Sequence, residues 1–320
     1  MRNVVRAILF GLVAASASAL AQDYPNKPIR LIVPFGTGGA TDTSGRLIAD
    51  ALGKRLNERI VVENRGGAGG NIGADLVAKA PADGYTLLLA LDATMVVNPF
   101  TTRTPFDTLK DFAPITKLGN VALVLAANPG LPAKNFKELL AYSKANPGKL
   151  SYSTGGTGST SHVGMELLKQ RTGLDMLHVP YKSGGLAVLD AVSGVVQLTY
   201  PAVAGANTHI RSGKLAGIGV STRNRVSTIP DTPTFIEQGL KDFEVVSWVA
   251  LMAPAGTPPA VINRLHAETV QSLKEPTVRQ RFETLGIEPV GNTPEQFAAE
   301  IRADLARWKE VVERAGIKVD

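Results

Sequence analysis

Apolar residues along this chain follow two spacings, and stretches of one kind alternate with stretches of the other. Residues 29–33, apolar except for Arg30, form a short run of strand length. Residues 43–56 then place Leu47, Ile48, Ala51, Leu52 and Leu56 at helical spacing, with Arg46, Asp50, Lys54 and Arg55 between them. One stripe of that helix is suited to a core and the other to solvent. The pairing recurs as a strand at 60–63, a helix at 71–80 and a strand at 85–90. Such alternation predicts an α/β fold with parallel-rich sheets flanked by helices.

The middle of the chain repeats the scheme. Residues 121–126 are apolar and extended, and Asn135 with Glu138 three positions on predicts a capping box for a helix that stops at Asn146-Pro147-Gly148. A strand at 150–153 follows, and Gly173, Gly194 and Gly213 each stand where a left-handed C-cap would end a helix. A second apolar extended segment at 245–253 precedes Pro254-Ala255-Gly256-Thr257-Pro258-Pro259, after which amphipathic helices are expected at 260–273 and 294–314. A chain of this length accommodates two lobes. The expected division puts residues 22–122 with 247–320 in a first lobe and 123–246 in a second, joined by extended segments near Val121 and Val245 that act as a hinge.

The first 21 residues read as an export signal. Arg2 and Arg6 supply a basic start, residues 7–15 an apolar stretch, and Ala19-Leu20-Ala21 a small-x-small cleavage site. The apolar stretch is short for a membrane span, and nothing later approaches about 20 uninterrupted apolar residues. With no cysteine there is neither a disulfide framework nor a cysteine for lipid attachment, so a soluble protein in the periplasm is expected. The formal charge of +6 falls to +4 when Arg2 and Arg6 leave with the signal. The remaining cations are spread among acids without an aromatic-interleaved basic stripe, which argues against nucleic acid as a partner.

Chemistry concentrates in two glycine-rich loops, each preceded by a strand-like run and followed by a helix-like run. One is Pro34-Phe35-Gly36-Thr37-Gly38-Gly39-Ala40-Thr41-Asp42, the other Ser153-Thr154-Gly155-Gly156-Thr157-Gly158-Ser159-Thr160-Ser161-His162. A helix N-terminus carries unsatisfied N–H groups and about half a positive charge, and glycine lets an anion approach them closely. Two such ends facing each other would suit a dicarboxylate.

Several ordered motifs carry a resemblance. They are Tyr24-Pro25-Asn26-Lys27-Pro28-Ile29-Arg30, Gly38-Gly39-x-x-Asp42, Val62-Glu63-Asn64-Arg65-x-Gly67-Ala68-Gly69-Gly70-Asn71 and Ala82-Asp83-Gly84-Tyr85-Thr86. Gly156-x-Gly158-Ser159-x-x-His162, His178-Val179-Pro180-Tyr181-Lys182 and Ala253-Pro254-Ala255-Gly256-Thr257-Pro258 continue the series. Together they resemble the Bug family of periplasmic solute receptors of tripartite tricarboxylate transporters over nearly the whole mature chain. The resemblance implies a two-lobed type II binding-protein fold of the Venus-flytrap kind. It also implies closure over a small carboxylate, delivery to membrane subunits, and neither catalysis nor a cofactor. It further implies that backbone groups and ordered waters at the first loop hold the carboxylate while the second loop meets it from the other lobe. A monomer is expected.

On this basis Thr37, Gly38, Gly39 and Thr41 are candidate ligand contacts, as are Thr154, Thr157, Gly158, Ser159, Thr160 and Ser161, whose hydroxyls add donors to the free N–H groups. Asp42 is either a contact or an aspartate that complements the helix dipole. His162 either donates to the ligand or bonds the opposite lobe or a loop carbonyl. Phe35 covers the apolar part of a ligand or packs in the core. Tyr181 is a further candidate, whereas neighbouring Lys182 reads as a solvated surface cation. Tyr200 lies where many relatives carry an acidic-plus-amide pair, a departure that disfavours amino-acid ligands. Gly36-Thr37 replaces prolines common in relatives, and the role of Asp92 at the edge of the expected cleft stays open.

Other classes compete less well. A strand, Gly36-x-Gly38, a helix and Glu63 imitate the start of a dinucleotide-dependent oxidoreductase, but Thr41 occupies the third glycine position. His162 and Glu166 are four apart on a helix without a third metal ligand in view, so no metal is expected. No G-x-S-x-G elbow, H-E-x-x-H or cysteine nucleophile supports a hydrolase. A closed clamp could also dock onto a sensor kinase in the membrane, an alternative partner the residues leave open.

Overall fold

The computed structural model describes residues 24–319, so the export signal expected at 1–21 lies outside the described residues. Strands β1 (Ile29–Val33), β2 (Ile60–Asn64) and β3 (Thr86–Leu91) are parallel, with β1 in the centre. Their crossovers are helices α1 (Ala40–Leu56) and α2 (Asn71–Ala78), and α1 buries Ile48, Ala51, Leu52 and Leu56 as its stripe foretells. After β3 the chain makes a π-helical turn, Ala93–Val97, that runs into the short helix α3 (Asn98–Thr101).

Strand β4 (Phe112–Ala122) and two later strands, β10 (Val246–Pro254) and β11 (Ile287–Pro289), complete a six-stranded sheet in the order β11-β4-β10-β3-β1-β2. These additions are antiparallel: β10 lies between β3 and β4, and β11 closes the edge on β4. Only the end of β4 is visible in the apolar pattern, because Pro114 and Gly119 interrupt it. Its ladder with β10 absorbs that irregularity in register shifts between Val249 and Ala250 and between Leu251 and Met252.

A second sheet holds β5 (Val124–Ala127), β6 (Leu150–Thr154), β7 (Met176–Pro180), β8 (Leu198–Thr199) and β9 (Ala216–Val220) in the order β7-β6-β8-β5-β9. Helices α4 (Phe136–Ala145), α5 (Thr160–Thr172), α6 (Gly184–Ser193) and α7 (Val203–Arg211) connect its strands. Asn135 caps α4 by accepting from the Glu138 N–H, while Glu138 reaches back one residue further than expected, to the Lys134 N–H. Gly173 and Gly194 are left-handed C-caps, and Gly213, at φ +72°, stands one residue beyond the cap of α7.

The apolar run at 121–126 therefore belongs to two strands in two different sheets. Leu123 carries the crossing from one sheet to the other, and the chain returns between Val245 and Val246. Ser221 pins the two crossings together: its N–H donates to Leu123 O at 3.1 Å, its hydroxyl to Val245 O at 2.6 Å, and its carbonyl accepts from Val245 N at 2.9 Å.

Helices α8 (Pro259–Lys274), α9 (Pro276–Thr284) and α10 (Pro294–Ala315) end the chain. α10 opens on a full capping box between Thr293 and Gln296. It puts Trp308, Val311 and Val312 into one apolar cluster with Val163 and Leu168 of α5, so the terminal helix ties the elements around the second sheet to those around the first. The Gln170 amide donates to Val311 O, and the indole of Trp248 donates to Asp304.

The approach of α2 to β1 sets the position of the first glycine loop. A Cβ on Gly73 would lie 2.8 Å from Arg65 O and from two atoms of Pro34, the residue that begins the loop. Gly73→Ala is expected to lower unfolding stability by about 1–3 kcal/mol, measured by urea denaturation, whereas Gly185→Ala, whose Cβ meets nothing within 4 Å, serves as the control.

Candidate functional site

The first glycine loop leaves a helix end exposed. Residues 36–40 are solvent-exposed, Phe35 and Thr41 are half-buried, and the N-cap position of α1 is Gly39, which offers no side chain to the helix. The N–H groups of Ala40, Thr41 and Asp42 consequently have no acceptor among the described residues. Gly38 makes the turn at φ +84°, where a side chain would be strained. Its N–H donates to Asp42 Oδ2 at 2.9 Å.

Asp42 itself is buried, and its Oδ1 accepts from the Asn64 amide at 2.9 Å and lies 3.0 Å from Arg46. The Arg46 hydrogen bond, aided by those from Gly38 and Asn64, pulls its carboxyl down to about 2. The carboxylate thus braces its own loop, and the same Asn64 amide donates to Phe35 O at 3.0 Å. Phe35 lies against Gly70, where a Cβ would come within 3.3 Å of its ring.

The second loop presents the other helix end. Ser159 caps α5 by accepting from the His162 N–H and donates its hydroxyl to Gly156 O at 2.7 Å. The N–H groups of Thr160 and Ser161 remain without an acceptor among the described residues. Thr157 is exposed, Ser161 half-buried, and Thr154 is buried with its hydroxyl 2.7 Å from His178 Nε2. Gly158 turns at φ +76°, and a Cβ there would lie 3.0 Å from Val319.

His162 supports this loop from beneath. Its Nδ1 accepts from the Gly158 N–H at 3.2 Å, which requires that nitrogen to be unprotonated, and its ring stacks on His178 with centroids 3.8 Å apart. The bond His162 makes within the protein is to an N–H of its own loop, not to the opposite lobe or a loop carbonyl as expected. His178 was named only within a motif; its partnership with His162 joins β7 to α5 across a distance in sequence that no local pattern reveals. Glu166 accepts from the Tyr152 hydroxyl and pairs with Lys169, so it does not join His162 at a metal. No group of three or more His, Cys, Asp or Glu residues gathers to hold a metal among the described residues.

Between the loops lies a floor that the sequence did not single out. Thr94 and Asn98 both donate to Gly69 O, at 2.9 and 3.0 Å, beside Phe35 and Gly70. Thr101, one turn further, faces Gly158, and its carbonyl accepts from Val319 N. At the start of the same segment buried Asp92 accepts from the Thr160 hydroxyl at 2.7 Å and from the Ser247 hydroxyl at 2.6 Å. The two loops accordingly adjoin one helical segment, residues 92–101, which fixes both helix ends on the same floor.

Other candidates sit apart from the open helix ends. Tyr181 donates its hydroxyl to Asp190 at 2.6 Å, which pushes that phenol up to about 12, while its backbone N–H binds Thr154 O. Tyr200 is fully buried with its ring against Gly164 of α5, so its side chain is part of the packing behind the loop. Glu63 is engaged by Arg30 at 2.7 and 3.0 Å and by Arg65 at 3.2 Å, which leaves it unavailable to a ribose. Lys182 is exposed, as expected.

The stacked histidines give the site a pH dependence. Burial lowers His162 to about 4 and His178 to about 3, the latter aided by its neighbour's charge. The unfolded chain binds protons at these rings below about 6.5 while the folded protein resists them, so their contribution is complete above 6.5 and is lost as pH falls towards 4 and 3. Asp92, raised by burial to about 6, acts in the opposite sense between its ordinary value and 6. Chemical denaturation from pH 7 to 4 is expected to show falling stability. Each ring contributes at most about 1.4 kcal/mol per pH unit, less for part-exposed His178, and His178→Asn should flatten the profile.

Residues 45–317 match the family described as "Tripartite tricarboxylate transporter family receptor". Protein BugT of Bordetella pertussis is 37% identical over 314 residues, covering 98% of this chain and 96% of that one. The structure of Rpa4515 from R. palustris with adipate superposes with a TM-score of 0.79 at 33% identity, covering 92% of this chain and 99% of that one. MatC from Rhodopseudomonas palustris with bound malate has a TM-score of 0.76 at 31% identity, covering 90% of this chain and all of that one. With a fold of two α/β sheets and similarity along almost its whole length, the chain belongs to the tripartite tricarboxylate transporter receptor family.

Proposed function

We propose that this protein captures a small carboxylate between the N-termini of α1 and α5 and presents it to the membrane subunits of a tripartite tricarboxylate transporter. The observation that carries the reading is the pair of open helix ends on one floor, at Ala40 to Asp42 and at Thr160 and Ser161. Each concentrates N–H donors and positive dipole, and the two are suited to the two ends of a dicarboxylate. The nearby guanidinium groups are committed elsewhere, Arg46 to Asp42 and Arg65 to Glu63, so backbone and hydroxyl donors carry the recognition. Adipate and malate in two relatives are ligands of this class.

In this reading the lobes divide at the Leu123 and Val245 crossings, as 22–122 with 247–320 and as 123–246, and close over the ligand. The protein binds without catalysis, works as a monomer and reaches the periplasm after losing residues 1–21. Capture of transporter subunits from detergent-solubilised membranes in a ligand-dependent manner supports delivery. Capture of a sensor kinase alone would replace the transporter by a signalling partner.

A thermal-shift panel of succinate, malate, adipate, citrate, glutamate, terephthalate, nicotinate and NAD tests the reading, because a ligand of the folded state raises its melting temperature. A rise with one carboxylate class is expected and no rise with NAD; a rise with NAD alone would overturn the proposal. Two substitutions separate contact from bracing. Thr157→Ala should weaken carboxylate binding by about 0.5–1.5 kcal/mol at unchanged melting temperature, read by calorimetry. Ser159→Ala should lower stability by about 1 kcal/mol through the lost cap.

A further inference from the structure

We propose that anion capture at the N-terminus of α5 draws a proton from solvent onto Asp92, so that ligand binding and proton uptake are one event. The inference rests on the receptor reading above and concerns the regulation of that same site. Its basis is the place of Asp92 in the fold. The residue follows β3 of the first sheet, is 2% exposed, and joins three elements: its own segment, β10 through the Ser247 hydroxyl, and α5 through the Thr160 hydroxyl. Thr160 is the first residue of α5, and its own N–H is one of the free donors. A ligand carboxylate on that N–H and the Asp92 carboxylate on the same residue's hydroxyl are therefore neighbours.

The surroundings of Asp92 leave it to respond. Two hydroxyls and the Ala93 N–H stabilise its charge, and no lysine, arginine or histidine among the described residues lies within ion-pair distance of it. From α10 the facing group is Asp304, another acid, itself held by Arg307 and by the Trp248 indole. Beyond Asp304 on that side, Lys117 of β4 pairs with Glu300. On α5 the titratable groups that follow Thr160 are His162, whose Nδ1 is occupied by the Gly158 N–H, and Glu166, which pairs with Lys169. β3 contributes no charged side chain, and β10 contributes Ser247.

Burial already places Asp92 at about 6. A second negative charge within a few ångströms disfavours ionisation further. The proton comes from solvent and bonds to a carboxylate oxygen, giving a neutral acid; the Thr160 or Ser247 hydroxyl then accepts from it, so the joint between the elements persists without its charge. Neutral Asp92 also ceases to compete with the ligand for the positive end of α5.

The experiment is isothermal calorimetry with the carboxylate that gives the largest melting shift in the panel above, adipate or malate being the first probes. Binding is measured at pH 7 in buffers of different ionisation enthalpy. The expected result is uptake of about half a proton to one proton per ligand, with affinity rising up to about tenfold per unit as pH falls from 8 towards 6. In Asp92→Asn the binding heat should be the same in every buffer. Ser247→Ala, which keeps the carboxylate but removes a donor to it, should move the uptake window to higher pH. Binding without proton uptake by the native protein would overturn the coupling and leave the receptor reading intact. Uptake that survives in Asp92→Asn would assign the proton to the histidine pair and overturn the proposal. Failure of every carboxylate in the panel to bind would remove both readings.

Discussion

The structure is organised around backbone N–H groups that it leaves without acceptors. Every helix begins with such donors, and proteins ordinarily cover them with a capping side chain or with water. Here α1 starts on a glycine, and α5 spends its capping serine on a single N–H, so both retain donors in an accessible place. The surrounding side chains serve to hold these ends in position. Asp42, Arg46 and Asn64 form a frame behind the first loop. His162, His178 and Thr154 form another behind the second. Charged and aromatic groups thus act indirectly, and the surface offered to a ligand is largely main chain. A surface of that kind suits a carboxylate group more than the remainder of a molecule, and two relatives hold carboxylates as different as adipate and malate.

Much of this was legible in the sequence because it depends on local patterns. The stripe of α1, the strand before it, the glycines with positive φ at 38 and 158 and the caps at Asn135, Gly173 and Gly194 are decided within a few residues of themselves. Strand β4 was hidden because Pro114 and Gly119 break its alternation, and its pairing with β10 comes from far along the chain. The split of the run at 121–126 between two sheets was hidden for a related reason: an apolar run does not reveal which partner each residue will find. At the site, the glycine loops announced themselves, whereas the floor at 92–101 did not. Thr94, Asn98 and Thr101 form no known signature, and their importance lies in the glycines they meet. Asp92 attracted notice as an acid near an anion site, but only the folded chain brings Thr160 and Ser247 to it.

The electrostatic arrangement is unusual for a candidate anion site. Arg46 and Arg65 near the first loop are neutralised by Asp42 and Glu63, while a buried acid lies directly beside the helix end of the second. The attractive part of the field comes from dipoles fixed by the backbone, which cost no reorganisation when a ligand arrives. Its repulsive part comes from a group that can change charge. Fixed attraction with adjustable repulsion permits the balance to be altered without moving a helix.

Ser221 lies far from either loop in sequence, yet it joins the two crossings that link the sheets on which they stand. Two independent crossings between sheets would let one half twist, slide and tilt against the other. Riveting Leu123 and Val245 to a single residue makes the pair behave as one axle. In the division proposed above, such a joint would favour rotation about one line over twist and slide, with the terminal helix as a further tie between the halves. A receptor jointed in that way would offer a docking partner a few distinct shapes rather than a continuum of them.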